Sequence, residues 1–406
     1  MTTIGMIAEF NPFHKGHKYI IEKAKSITGA DNVIVVCSGN YVQRGKPSII
    51  DKTIRTKAAL ANGVDAVFEL PVYFATSSAE RFARAGVKFL NNLGCVDYLC
   101  FGCETEHIKM LPLIANVLEE EPDEYVALLK MFLANGDSFP KARSNALKEY
   151  IGNTKGISEN EIEITIKSPN NILAIEYMKA IKHFDSKLKP LAIKRVGSDY
   201  ASLDTTDDFV SATAIRNQMK QGNDIKSLVP PDAYMHYEDA KPIFMSDFDL
   251  LLGDALIKSN DFSEIYGVNK DLSNRIKNQK NNYTDIKNFL MQIDSKNNTK
   301  TGISRALLHT ILNIQKEDVK RALENNYFTS ARLLGINRGS NLISVINDNS
   351  KIPLIGKFTS HYENSTGIDR KLLDIQLYAD EIYRLVYMTK YKEIIPNEFE
   401  RQIVVK

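Results

Sequence analysis

At 406 residues the chain exceeds one ordinary domain, and its 43% hydrophobic and 25% charged side chains are the proportions of a soluble globular protein. The net charge of +2 is not concentrated in either half, so composition lends no support to a generally basic nucleic-acid binder. No apolar run approaches a membrane span and the first residues lack a signal-peptide pattern, so the cytoplasm is the expected compartment.

Residues 4–10 form an apolar run of strand length, suited to a buried parallel strand. Asn11-Pro12 ends it, because proline brings no amide donor and biases the residue before it away from helix. His14-Lys15-Gly16-His17 comes next, and then a helical pattern through Ile20, Ile21, Ala24 and Ile27. The two histidines thus stand where a first strand hands over to a first helix. Open α/β sheets bind ligands at this end of their strands, and the free amides of the helix attract phosphate. Three apart, the histidines share one face of a turn, and Gly16 leaves the backbone open to a base or a phosphate. An imidazole near its pKa can donate to a phosphate oxygen and gather charge as phosphorus becomes pentacoordinate. A solvated histidine pair is the competing reading, whereas a zinc site lacks a third ligand close by.

Further strands are expected over 32–37, 65–70, 97–101 and 191–193. The loop 41–50 carries Gln43, Arg44 and Lys46 and either closes over an acyl or phosphate group or is an ordinary surface loop. Asp51 is expected to cap a helix on which Lys52 and Arg55 form a solvated face. Gly102 ends the fourth strand, where backbone passes a bound nucleotide or simply turns. Helical patterns over 108–118, 124–133 and 141–150 read as an insertion. Pro169 and the Asn170-Asn171 pair start a helix over 172–181, and Lys194 and Arg195 stand at the end of the fifth strand. After a loop over 205–210, Ser211, Thr213 and Arg216 put hydroxyls and a guanidinium at a helix start, which suits phosphate or a plain cap.

All four cysteines, Cys37, Cys95, Cys100 and Cys103, lie in this first half; Cys100-x-x-Cys103 has no second pair and reads as inert thiols rather than a metal or redox centre. Val229-Pro230-Pro231-Asp232 divides a nucleotide-binding domain, 1–228, from a mainly helical domain, 229–406. In the latter, helices are expected over 242–258, 271–277, 283–291, 304–314, 316–325 and 371–389, with ambiguous patterns over 330–334 and 342–347.

His14-Lys15-Gly16-His17 resembles the H-x-G-H signature of the nucleotidyltransferase superfamily. The longer set is more specific. Glu9-Phe10-Asn11-Pro12-Phe13-His14-x-Gly16-His17, Ser38-Gly39-Asn40, Arg44-Gly45, Phe101-Gly102 and Ser168-Pro169-Asn170-Asn171-Ile172-Leu173 resemble, in order, the bacterial tRNA(Met) cytidine acetate ligase family. The resemblance implies a Rossmann-like doubly wound parallel sheet with a helical C-terminal domain that contributes to tRNA binding. It implies ATP and acetate giving acetyladenylate and pyrophosphate, with the acetyl group passing to N4 of the wobble cytidine of elongator tRNA(Met). His14 and His17 are then the catalytic pair. Ile7, Ala8, Glu9, Phe10, Asn11, Pro12, Phe13, His14, Gly16, His17, Gly102, Asn170, Asn171 and Arg195 are the ATP-binding set, and Ser211, Thr213 and Arg216 hold pyrophosphate. Mg²⁺ is expected with ATP, without a dedicated metal site; neither DNA nor a membrane is an expected partner. A small-molecule adenylyltransferase and a non-catalytic RNA-binding protein on a transferase scaffold are the alternatives.

Overall fold

The structure, a computed structural model, describes residues 1–104, 108–196, 209–295, 297–339 and 341–406. Most of the expected loop over 205–210 therefore lies outside the described residues. The strands are β1 Thr3–Ala8, β2 Asn32–Ser38, β3 Tyr41–Val42, β4 Lys46–Pro47, β5 Ala66–Leu70, β6 Tyr98–Cys103, β7 Lys189–Lys194, β8 Ala331–Ile336, β9 Leu354–Ile355 and β10 Val404–Val405. The main sheet runs β10-β8-β5-β2-β1-β6-β7, with β9 paired to β8. The pairs among β5, β2, β1, β6 and β7 are all parallel.

A parallel strand covered on both faces has to be apolar throughout, and β2 is buried along its whole length. Val33 and Val35 point into one core with Ile20, Ile21 and Ala58, while Ile34 and Val36 point into the other with Phe68, Phe82 and Phe89. Helix Lys15–Thr28 buries Ile20, Ile21 and Ala24 against the first core and ends at Gly29 in the left-handed region, as its apolar spacing predicts. Helix Ala79–Leu93 covers the opposite face; a Cβ on its Gly86 would collide with Ile7, so glycine there brings helix and β1 together. From β1 the chain moves to β2 and β5 on one side, then returns to β6 and β7 on the other. The order reverses between β1 and β6, and that crevice is where an open sheet of this kind takes a ligand.

Four features differ from the sequence expectation. The expected insertion contains an additional helix, Glu159–Lys167, besides Met110–Glu120, Asp123–Ala134 and Phe139–Lys155. Lys52 and Arg55, read as a solvated face, are 2% and 1% exposed because they bind polar groups inside the molecule. The loop 41–50 is a short antiparallel hairpin of β3 and β4. The chain after 229 is mainly helical, with Gly367–Tyr391 its longest helix, yet it also returns to the main sheet. There β8 runs antiparallel to β5, while β9 and β10 run parallel to β8. A two-residue strand has no periodicity to read, and β8 alternates only partly between buried and half-buried positions.

Candidate functional site

The carboxyl ends of β1 and β6 open into a cavity of about 170 Å³. Ile7, Ala8, Glu9, Phe10 and Asn11 form one wall, with His14 and His17 next to them. Gly102, Asn170 and Arg195 come from the other side of the crevice, and Arg216 closes one end. Eleven separated positions named from the sequence thus meet in one place. The remaining predicted residues lie around it. Phe13 is fully buried, and its N–H donates to the Tyr237 hydroxyl at 3.0 Å. Pro12 is buried, and Gly16 lies in the first turn of the histidines' helix, its N–H on His14. Asn171 is fully buried and accepts the Glu104 N–H at 2.8 Å, so it fixes the end of the β6 segment rather than lining the cavity. Ser211 caps helix Ala212–Lys220, its hydroxyl accepting the Ala214 N–H at 3.1 Å. Thr213 faces an adjoining cavity.

The histidines are held by the start of their own helix. His14 is the N-cap residue, and its Nδ1 accepts the Gly16 N–H at 3.0 Å. His17 Nδ1 accepts the His14 N–H at 3.2 Å, a capping box built from imidazoles. A ring nitrogen that accepts carries no proton, so each neutral ring bears its hydrogen on Nε2. The rings stack with centroids 3.8 Å apart, and Phe10 meets His17 edge-on at 4.9 Å. Burial, then Arg195 and Arg216, lowers the His14 pKa to about 3. Burial, then His14 and Arg195, holds His17 well below its ordinary range. The sequence expectation of imidazoles near their pKa is therefore corrected. These are neutral Nε2–H donors, and the positive charge of the site belongs to its arginines. Glycine at 16 also has a reason other than ligand access: a Cβ there would stand 2.9 Å from the His14 ring.

The arginines are aimed by specific acceptors. Arg216 Nη1 donates to the Asn11 carbonyl at 2.8 Å and Nη2 to the Thr213 hydroxyl at 3.0 Å. Arg195 Nη1 donates to Asn170 Oδ1 at 3.4 Å, and Asn170 Nδ2 donates to Glu104 at 2.6 Å. The Asn170-Asn171 pair therefore lies in the first turn of helix Pro169–His183, whose cap residue is Ser168. Gly102 lets the Arg195 stem cross β6, since its Cβ would meet that stem at 3.1 Å.

Arg55 carried no signal in the sequence, yet it supports the whole wall. It donates to the carbonyls of Ile50 at 2.9 Å, Glu9 at 2.6 Å and Ser38 at 3.0 Å, and also to that of Gly39. Phe82, Phe101, Leu173 and Tyr177 supply an apolar side to the cavity, suited to a flat base. They too are unremarkable in sequence, because a core aromatic and a pocket aromatic have the same spacing. Burial pushes the thiol of Cys100 up to about 12 and that of Cys103 up to about 11, so both stay protonated. Among the described residues no group of three or more His, Cys, Asp or Glu side chains could hold a metal ion. Glu9 is the carboxylate on the cavity wall, and it already accepts the Gln43 N–H at 2.8 Å.

An apolar slot ending in two neutral imidazole donors and two guanidinium groups is built for a nucleoside polyphosphate. The family model described as HIGH Nucleotidyl Transferase matches residues 1–397. The tRNA(Met) cytidine acetate ligase of Acetivibrio thermocellus is 35% identical, covering 100% of both chains. That of Clostridium kluyveri is 39% identical over 91% of this chain and 93% of its own. The chain belongs to the tRNA(Met) cytidine acetate ligase family. The family fold is matched as closely as the sequence: the crystal structure of apo Thermotoga maritima TmcAL superposes with a TM-score of 0.91 at 30% identity, over 100% of this chain and 99% of that one. The same protein bound with alpha-thio ATP gives 0.90 at 31% identity, with the same coverage. A cavity lined by the family's H-x-G-H histidines and a relative solved with an ATP analogue agree that this is an ATP-binding nucleotidyltransferase fold. Among the described residues, no helix is long and apolar enough to cross a membrane.

Proposed function

We propose that the chain is an ATP-dependent ligase that activates acetate and acetylates N4 of the wobble cytidine of elongator tRNA(Met). The convergence of His14, His17, Arg195 and Arg216 on one cavity carries this reading, together with relatives that bear the ligase name. An acetate oxygen attacks the α-phosphorus, the bond to the β-phosphate oxygen breaks, and pyrophosphate leaves. The cytidine amine then attacks the acetyl carbonyl, the bond to AMP breaks, and the amine loses a proton. His14 and His17 donate Nε2–H to oxygens on the α-phosphate, where charge builds in the transition state. Arg195 orients the nucleotide, and Arg216 with the start of helix Ala212–Lys220, capped by Ser211, receives pyrophosphate. Thr213 acts there by aiming Arg216.

Mg²⁺ enters as the counter-ion of ATP. Among the described residues the cavity wall offers it Glu9 and no cage of carboxylates, so phosphate oxygens and water would be its fitting ligands. The working division is ATP chemistry on 1–228, with 229–406 contributing to tRNA binding, in the cytoplasm. The test is acetate-dependent release of pyrophosphate from ATP, with and without tRNA, followed by nucleoside analysis. Acetylated cytidine is expected only with tRNA present. Pyrophosphate release without acetylated tRNA would move the acceptor elsewhere.

A further inference from the structure

Behind the nucleotide cavity lies a second one of about 510 Å³, and Glu9, Asn11, Arg44 and Arg216 line both. Part of the partition is the β3–β4 hairpin. Its turn is fixed by the Glu9 carboxylate, which takes the Gln43 N–H, and by Ser304, whose hydroxyl donates to the Gly45 carbonyl at 3.0 Å. Arg44 reaches both cavities from this hairpin, whereas Lys46 reaches only the second. The opposite wall includes Thr213, Arg216, Asn217 and Lys220, one continuous face of helix Ala212–Lys220, and Lys287 comes from the C-terminal half.

Lys46, Lys220 and Lys287 are exposed, and among the described residues their side chains make no ion pair or hydrogen bond. Partial burial, then Arg216, Arg44 and Lys220, holds the Lys46 ammonium below its ordinary range, so these like charges act on one another. The three carboxylates that line the chamber are engaged in local structure, Glu9 through the Gln43 N–H already described. Asp249 accepts the Ile286 N–H at 2.9 Å, and Asp285 caps helix Ile286–Gln292 through the Asn288 N–H at 2.9 Å. Phe244 is the aromatic side chain of this wall, with Lys390 over its ring at 4.8 Å.

Three exposed lysines around a cavity that shares Glu9, Asn11, Arg44 and Arg216 with the nucleotide cavity suit a polyanion whose reactive group must reach that shared wall. We infer that this second chamber takes the acceptor nucleotide of the RNA, with Lys46, Lys220 and Lys287 on the flanking phosphates and the base directed at the partition beside Glu9 and Arg44. A loop nucleotide can be splayed out of its stack to enter such a chamber, as base-modifying sites require. This assignment rests on the proposed ligase reaction and adds to it the route by which the amine reaches the acyl group.

The two half-reactions separate the inference from the reading it rests on. Acetate-dependent ATP–pyrophosphate exchange reports activation alone; acetyl transfer to an elongator tRNA(Met) transcript reports the acceptor. For Lys220→Glu/Lys287→Glu, exchange should stay within about twofold of the parent while the KM for tRNA rises about tenfold or more and its salt dependence becomes shallower. An unchanged tRNA KM overturns the inference. So does a raised KM for pyrophosphate in the exchange assay, which would make the chamber the exit of the leaving group. If the parent shows no acetate-dependent exchange, the ligase reading fails instead, whatever the variants do.

Discussion

His14 and His17 show how a short motif acquires a chemical state that spacing does not contain. Each Nδ1 is committed to a backbone N–H, so each ring can only donate from Nε2. His17→Ala removes one donor and should slow acetate-dependent exchange by about 10²–10³-fold, the usual loss for a transition-state donor. Binding of tRNA should change little, and equal losses in both assays would remove the role assigned to His17. The depressed pKa values also have a stability sign. The folded His14 titrates at about 3, whereas an unfolded histidine titrates at about 6.5. The unfolded chain therefore binds protons first as pH falls. The histidines' contribution to stability should be flat above about pH 7 and decline below about 6.5, by about 1.4 kcal/mol per pH unit for each such histidine, until the folded pKa is reached. Urea melts between pH 5 and 8, a window of about three units around the ordinary histidine pKa, measure this directly. Asp380, pushed up to about 7, titrates with the opposite sign in this window, so the histidine part is read as the difference between the parent and His14→Ala, and an equal pH slope in the two would contradict a neutral His14.

The β3–β4 hairpin shows the same dependence at the scale of an element. Its sequence is a polar loop with Gly45 and Pro47, and nothing in it announces a wall between two cavities. Gly45 sits at φ +69°, and a Cβ there would run into the backbone of Arg305 on helix Lys300–Ile311. Gly45→Ala should thus cost about 1–3 kcal/mol, from positive-φ strain together with the clash on Arg305, and unseat the hairpin from that helix. Gly29, at φ +63°, is a useful comparison because its Cβ would meet nothing within 4 Å. Gly29→Ala should cost only about 1 kcal/mol and leave activation intact. Equal melts and equal exchange rates for the two variants would show that the hairpin is not braced by Arg305. Helix starts, in contrast, were readable. Asp51 caps the helix that follows it, because a side-chain oxygen at that position pairs an amide left over by the first turn.

Over the whole molecule, the return of the chain to its own sheet is closed by buried charge. Lys52 Nζ lies 2.8 Å from Glu69, 2.7 Å from Asp380 and 3.0 Å from Glu398, with all four side chains 2% exposed or less. Arg332 and Arg401 complete the cluster, Arg401 pairing with Asp51 at 2.8 Å. Burial, then Glu398, pushes Asp380 up to about 7, while Arg332, Lys52 and Arg401 hold Glu398 down to about 2 against the effect of burial. Lys52 stands at the start of the helix after the hairpin, Glu69 is the penultimate residue of β5, Asp380 is on the long C-terminal helix and Glu398 is in the tail. Lys52→Met leaves three buried carboxylates facing one another and should cost about 3–5 kcal/mol, as loss of one partner of a buried ion pair does. Chemical denaturation checks it, and a loss under about 1 kcal/mol would mean that water or the arginines replace the lysine.

The sequence by itself determined the strand-to-helix handovers, the parallel sheet of the first half and the identity of most cavity residues. These follow from local rules of strand length, capping and proline, and from an ordered motif set that keeps its residues in place. The tertiary structure decided which of those residues face the cavity, that Asn171 and Phe13 support rather than line it, and that Arg55 and Lys52 belong inside. It also decided the protonation of the histidines. A charge or an imidazole takes its state from desolvation and from partners that, for Lys52 and Asp380, are 328 residues apart, and no local pattern carries that distance.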